Sequence, residues 1–193
     1  MSRFHRSLPW LLTACAAALL AAGCSPDNNS NPDAKKVISS CLAVSADDAS
    51  KILGLTVTAN RMSGDDAPRS ICAYKNAAGD TVALLNLGSA DKSVDMAKVL
   101  AADQKTAKDL FSGNIKPPAF RQADGFMPGA FYGDITPRFD SLETQLETFE
   151  GGFKMIITIN APKDFPSGES QSAAIAHKVF ENIQNGTAFA TLQ

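Results

Sequence analysis

Four sets of side chains in this chain could carry chemistry. They are the cysteines Cys15, Cys24, Cys41 and Cys72, the histidines His5 and His177, a run of carboxylates between residues 134 and 150, and aromatics between residues 120 and 139. A cysteine can be acylated, oxidised to a disulfide or bound to a metal. A histidine can relay protons, and paired carboxylates at the right separation can cleave a glycosidic bond. An aromatic rim can hold a peptide, a glycan or a lipid. All four residue types also have ordinary structural uses.

The catalytic readings weaken on inspection. His177 lies in a helical pattern beside Lys178 and has no histidine or cysteine near it in sequence. A zinc centre needs three or four ligands and commonly a C-x-x-C pair, which this chain lacks, so no metal and no cofactor is expected. Glycine-rich phosphate loops are also missing. Among the carboxylates Asp134, Asp140, Glu143, Glu147 and Glu150, two alternate with apolar residues: Glu143 and Glu147 with Leu142 and Leu146. That period of two marks them as the solvent face of a strand. No catalytic residue is therefore assigned and the chain is not expected to be an enzyme, carboxylate catalysis being the alternative. Phe120, Phe126, Phe131 and Tyr132 form a candidate binding rim, with Phe139 in the same cluster. The plainer use of these rings is to cap the core.

The first 24 residues have a separate organisation. Arg3 and Arg6 precede an almost wholly apolar run from residue 8 to residue 20, which leads into Ala21, Ala22, Gly23 and Cys24. This is the layout of a secretory leader, and its apolar run is too short to span a bilayer comfortably. The small residues before Cys24 resemble the lipobox of bacterial lipoproteins, with Leu20 one position further out than usual. Cys15, after Leu12-Thr13-Ala14, is a rival site that would leave an apolar segment on the mature chain. The resemblance implies a diacylglyceryl group on the Cys24 sulfur and further acylation (palmitate-type chains) of the new amino terminus. Two or three chains make such an anchor effectively permanent. Ser25, in the place where Asp resembles an inner-membrane retention signal, implies the outer membrane with the domain facing the periplasm. Inner-membrane retention and outer-leaflet display are the alternatives.

The expected organisation is a leader over residues 1–23, a lipidated cysteine and flexible tether over 24–36, and one domain over 37–193. The tether's Pro, Asn and Ser content gives it no core. Removing the leader takes away two of the 18 basic side chains and none of the 20 acidic ones, shifting the formal net charge from −2 to −4. Such a surface gives no reason to bind nucleic acid. With 45% hydrophobic and 20% charged residues, the chain has globular rather than disordered composition. Cys41 and Cys72 remain, and in an oxidising compartment they read as a disulfide closing a loop of about 31 residues. The chain-entropy model puts its contribution at about 3.7 kcal/mol. A metal pair and a reactive thiol are the competing readings.

Hydropathy patterning supplies the elements. Ser45 caps a short helix that Gly54 ends. Strands are expected over residues 55–59, 70–75 and 81–87, with turns at 64–68 and 78–80. Residues 91–111 form the longest helical segment, with Val94, Ala97, Leu100, Ala101, Ala107, Leu110 and Phe111 on its apolar side and Asp103 on its wet side. An irregular section follows, through the Pro128-Gly129 pair. Strands over 130–135, 142–149 and 153–159 then flank a Gly151-Gly152 hairpin, and a last helix covers 170–185. In the strand over 153–159, Met155, Ile157 and Ile159 share one face and Lys154 and Thr158 the other. The class is α+β: one domain, an antiparallel sheet from two βββ-type halves, and helices packed on one face.

Cys41-Leu42, Leu53-Gly54, Cys72-Ala73-Tyr74, Met127-Pro128-Gly129 and the last helix together resemble a broad set of small bacterial lipoproteins of uncharacterised function. The resemblance supports the Cys41–Cys72 pairing and the two-half fold, and implies no catalytic residues. The expected function is that of a membrane-anchored binding or assembly-accessory module for another envelope protein. The alternative is an inhibitor or immunity protein against a periplasm-acting toxin or cell-wall hydrolase, with the acidic loop over 64–68 as its plug.

Overall fold

Among the described residues, seven strands form one sheet with every pairing antiparallel. The computed structural model describes residues 36–63, 69–90, 95–111, 119–138, 141–162 and 168–191, all within one compact unit. The elements in chain order are β1 (Lys36–Ile38), α1 (Ser40–Ala43), α2 (Ala46–Leu53), β2 (Thr58–Arg61), β3 (Arg69–Lys75), β4 (Thr81–Ser89), α3 (Met96–Phe111), β5 (Ala119–Gln122), β6 (Phe131–Arg138), β7 (Ser141–Glu150), β8 (Phe153–Pro162), α4 (Glu169–Gln184) and β9 (Phe189–Thr191). The α+β class and the antiparallel sheet are those expected from the sequence. The two halves are a three-stranded meander, β2 to β4, and a four-stranded one, β5 to β8, joined where β4 lies beside β8, in the order β2-β3-β4-β8-β7-β6-β5.

Local chemistry explains why these segments take these forms. Ser45 accepts a hydrogen bond from the Asp48 backbone N–H at 3.1 Å and donates one to its carboxylate at 2.8 Å, so α2 starts there. It ends at Gly54, in the left-handed conformation. Gly151 and Gly152 both have positive φ, the backbone that a tight two-residue hairpin between β7 and β8 requires. Pro128-Gly129 occupies the centre of a turn closed by the Ala130 N–H donating to the Met127 carbonyl at 3.0 Å, with Gly129 at φ +91°.

The strand expected over 55–59 starts at Thr58 and continues to Arg61, because the outer edge of the sheet sets its limits rather than the Leu-Thr-Val alternation. Sequence patterning also misses β5, β1 and β9. Each is three or four residues long, too short to show a period, and each exists through pairing: β5 with β6, and β1 with β9 in a separate two-stranded ribbon.

The main core lies on one face of the sheet. Leu85, Leu87, Leu146, Met155 and Ile157 point from the strands towards Ile175 and Val179 of α4, and all are fully buried or nearly so. The helices α1, α2 and α4 share this face. The Cys41–Cys72 disulfide ties α1 to β3, with the two Cα atoms 5.2 Å apart. Tyr74 of β3 donates its hydroxyl to the Val44 carbonyl at 2.8 Å, and Asn182 of α4 donates to the Ala43 carbonyl at 2.9 Å. Helix α3 lies on the opposite face, where Asp103 pairs with Lys154 and Ala97 meets Gly129. Among the described residues, no helix is long and apolar enough to cross a membrane.

Candidate functional site

Cys24 and the loop over 64–68 lie outside the described residues, as do Phe139 and Asp140. Cys41 and Cys72 are joined, so neither is a free thiol. The four aromatics of the candidate rim occupy three places. Phe120 and Phe131 meet edge to face at 5.6 Å, under the side chain of Lys108 from α3. Tyr132 is adjacent to Phe131 in β6, so its side chain leaves through the other face of the sheet. Phe126, in the loop between β5 and β6, stacks on His177 of α4 with ring centres 5.1 Å apart. Phe131 and Tyr132 are buried, at 3% and 8% exposure, which gives them core rather than rim surroundings.

Strand register separates the carboxylates in the same way. Asp134 lies opposite Thr144 on the face carrying the main core, whereas Glu147, opposite Phe131 and Ile156, belongs to the face under α3. Arg121 bridges Asp134 on β6 at 2.6 Å and Glu169 in the first turn of α4, also at 2.6 Å. Asp134 accepts a further hydrogen bond from Thr144, whose hydroxyl in turn accepts the Gly168 N–H, both at 3.2 Å. Two carboxylates thus hold the Arg121 guanidinium charged and fix the start of α4 on the sheet. Glu169 also sits where the helix dipole favours an anion.

Glu147 departs from expectation. It is 7% exposed rather than on a solvent face, because α3 covers this part of the sheet. Lys154 approaches its Oε2 at 3.2 Å and also pairs with Asp103 of α3. Burial pushes the Glu147 carboxyl above the ordinary carboxylate range, and Lys154 opposes that shift. Glu143 is half-buried and shifted upward by desolvation alone.

A third arrangement is concave. Helices α2 and α4 flank a shallow, open cleft of about 420 Å³ lined by Asp48, Lys51, Ile52, Ala174, His177, Lys178 and Glu181. Ile52 and Ala174 supply apolar floor, and charges of both signs ring it. Lys178 pairs with Glu181 at 3.0 Å, which raises the pKa of its ammonium. His177 contributes one ring face, and Phe126 backs it. The cleft is not legible in the sequence because its nearest lining residues on the two walls, Ile52 and Ala174, are 122 positions apart in the chain, and nothing local marks their meeting. Its one local signal was His177, set one step off the apolar stripe of α4. Chemically, the cleft offers a ligand an apolar floor, carboxylates, ammonium groups and one imidazole.

No protein-family model matches the chain, and no curated protein matches it either.

Proposed function

We propose that this protein is a lipid-anchored component of the bacterial envelope, held at the outer membrane through acylated Cys24, whose α+β domain binds a segment of another envelope protein in the α2–α4 cleft. The observation that carries the proposal is the leader ending in Leu20-Ala21-Ala22-Gly23-Cys24. The Cys41–Cys72 disulfide supports it, since such a bond persists in an oxidising compartment. An open cleft with an apolar floor and charges of both signs suits a short peptide segment carrying both signs around an apolar centre.

Metabolic labelling with a palmitate analogue tests the anchor. Wild type takes up label and sediments with membranes, whereas Cys24→Ala does neither. Label retained in Cys24→Ala and lost in Cys15→Ala moves the anchor to Cys15; label in neither wild type nor variants refutes anchoring. The cleft is tested by in-cell cross-linking of the anchored protein. Ile52→Asp is expected to abolish the cross-linked partner bands that wild type gives, while Leu42→Asp, on exposed α1 surface, retains them. Equal cross-linking by both variants removes the cleft from the proposal.

A further inference from the structure

Of the four helices described, α3 alone lies on the second face of the sheet. Only Leu100 is fully buried among its described side chains; Met96 and Val99 are half-buried, and most of the rest are exposed. Its polar connection to the sheet centres on Glu147, in mid-β7. Across the strands Glu147 faces Ile156 and Phe131, both apolar. Its Oε2 has no hydrogen-bond partner among the described residues, although the Lys154 ammonium lies 3.2 Å away. That ammonium also serves Asp103 of α3. Two carboxylates from two elements therefore share one cation beneath a helix. With both ionised, the cluster carries an uncompensated negative charge in a largely desolvated place, which is costly.

We propose that Asp103, Glu147 and Lys154 form a proton-operated latch, in which a proton on Glu147 leaves the single ammonium to Asp103 and closes α3 on the sheet, and its loss loosens the helix. When Glu147 is protonated, the Lys154 ammonium is left to the Asp103 carboxylate, with which it already pairs, and the two charges balance. When Glu147 is ionised, it competes with Asp103 for the one Lys154 ammonium. The other charges of α3 are engaged elsewhere: Lys98 with Asp95, Lys105 with Asp109, and Lys108 over the Phe120 ring. The sheet neighbours of Glu147 on this face, Gln145, Phe149, Ile156 and Phe131, are uncharged.

The direction follows from linkage. Burial and Asp103 raise the Glu147 pKa above 4.5 while α3 is docked. Docking is thus favoured fully below the ordinary value and progressively lost as pH rises through the raised one. The latch is independent of the lipid anchor and of the cleft. A protein facing the periplasm would meet the relevant pH changes directly.

Amide hydrogen exchange on the full chain tests it. After correction for intrinsic rates, protection across residues 96–111 is expected to rise as pH falls from 7 to below the ordinary carboxylate value. The gain should approach about tenfold for each pH unit by which docking raises the Glu147 pKa. Strands β4 and β8 should show no comparable gain. Glu147→Gln, which keeps the shape of the protonated form, should give high protection at both ends of that range. A wild-type helix insensitive to pH, or a Glu147→Gln protein with the wild-type dependence, overturns the latch. Carboxyl-carbon NMR of the wild type gives a reading that does not depend on Glu147→Gln folding. The Glu147 midpoint should lie above 4.5 and should drop in Asp103→Asn; a midpoint at or below 4.5, or one indifferent to Asp103→Asn, refutes the latch.

Discussion

Tyr74 has no solvent exposure, and its hydroxyl finds its acceptor in the carbonyl that follows α1. Burial, with a smaller push from the Asp48 charge, holds the phenol protonated well above its ordinary 10. The folded state therefore keeps a proton that the unfolded chain gives up. The stabilisation is complete below pH 10 and declines as pH rises further. Tyr74→Phe should flatten that alkaline decline in urea titrations. Because it orphans the Val44 carbonyl, it should also cost about 1–3 kcal/mol near neutrality. Gly168 makes a second pointed case. A Cβ there would stand 2.7 Å from Ile159 Cβ and 3.2 Å from Thr144 Cβ, with no flexible side-chain end to give way. Gly168→Ala should lower stability by about 1–3 kcal/mol through overpacking, visible as a lower denaturation midpoint with an unchanged slope. The sequence shows a tyrosine near a cysteine and a glycine before a helix. It does not show that both are pressed against a neighbour, since Val44 and Tyr74 are 30 residues apart.

Helix α1 has four residues and could not persist alone, because helix nucleation costs more than one turn returns. It is kept by the disulfide to β3 and by the Ser40 N–H donating to the Ser70 hydroxyl at 2.8 Å. Replacing Cys41 and Cys72 together by Ala should cost about 2–5 kcal/mol. Reducing agent should lower the wild-type denaturation midpoint and leave that of the double variant unchanged. Helix α2 depends on its cap instead, and Ser45→Ala should cost about 1 kcal/mol in the same measurement. These two helices show which elements can be read from sequence. The boundaries of α2 were legible because a cap and a terminal glycine act within a few residues. The four residues of β5 were not, because their strand character comes from β6. Helix α3 was legible as a helix, but Asp103, assigned to its wet side, proved half-buried and ion-paired, since period alone cannot say how far a covering helix shields the sheet.

Over the whole domain, β4 and β8 meet at the centre of the sheet, and β1 pairs with β9, the first described strand with the last. Arg121, Asp134 and Glu169 come together from three elements separated by 13 and 48 residues. Lys154 and Asp103 are 51 residues apart, and Asn182 and Ala43 are 139 apart. Caps, hairpin glycines and strand and helix periods were determined by the sequence alone, because each is an interaction among near neighbours; the cysteine pair, 31 residues apart, was legible because only two cysteines remain beyond Cys24. The same holds for the expectation of an anchor at Cys24, which rests on one contiguous run. Only the tertiary structure decided the strand order, the face each helix covers, the cleft between α2 and α4, and the burial of Glu147 on a strand that reads as solvent-facing. Those outcomes depend on which distant apolar surfaces must meet to leave water, and on which distant charges are then trapped between them.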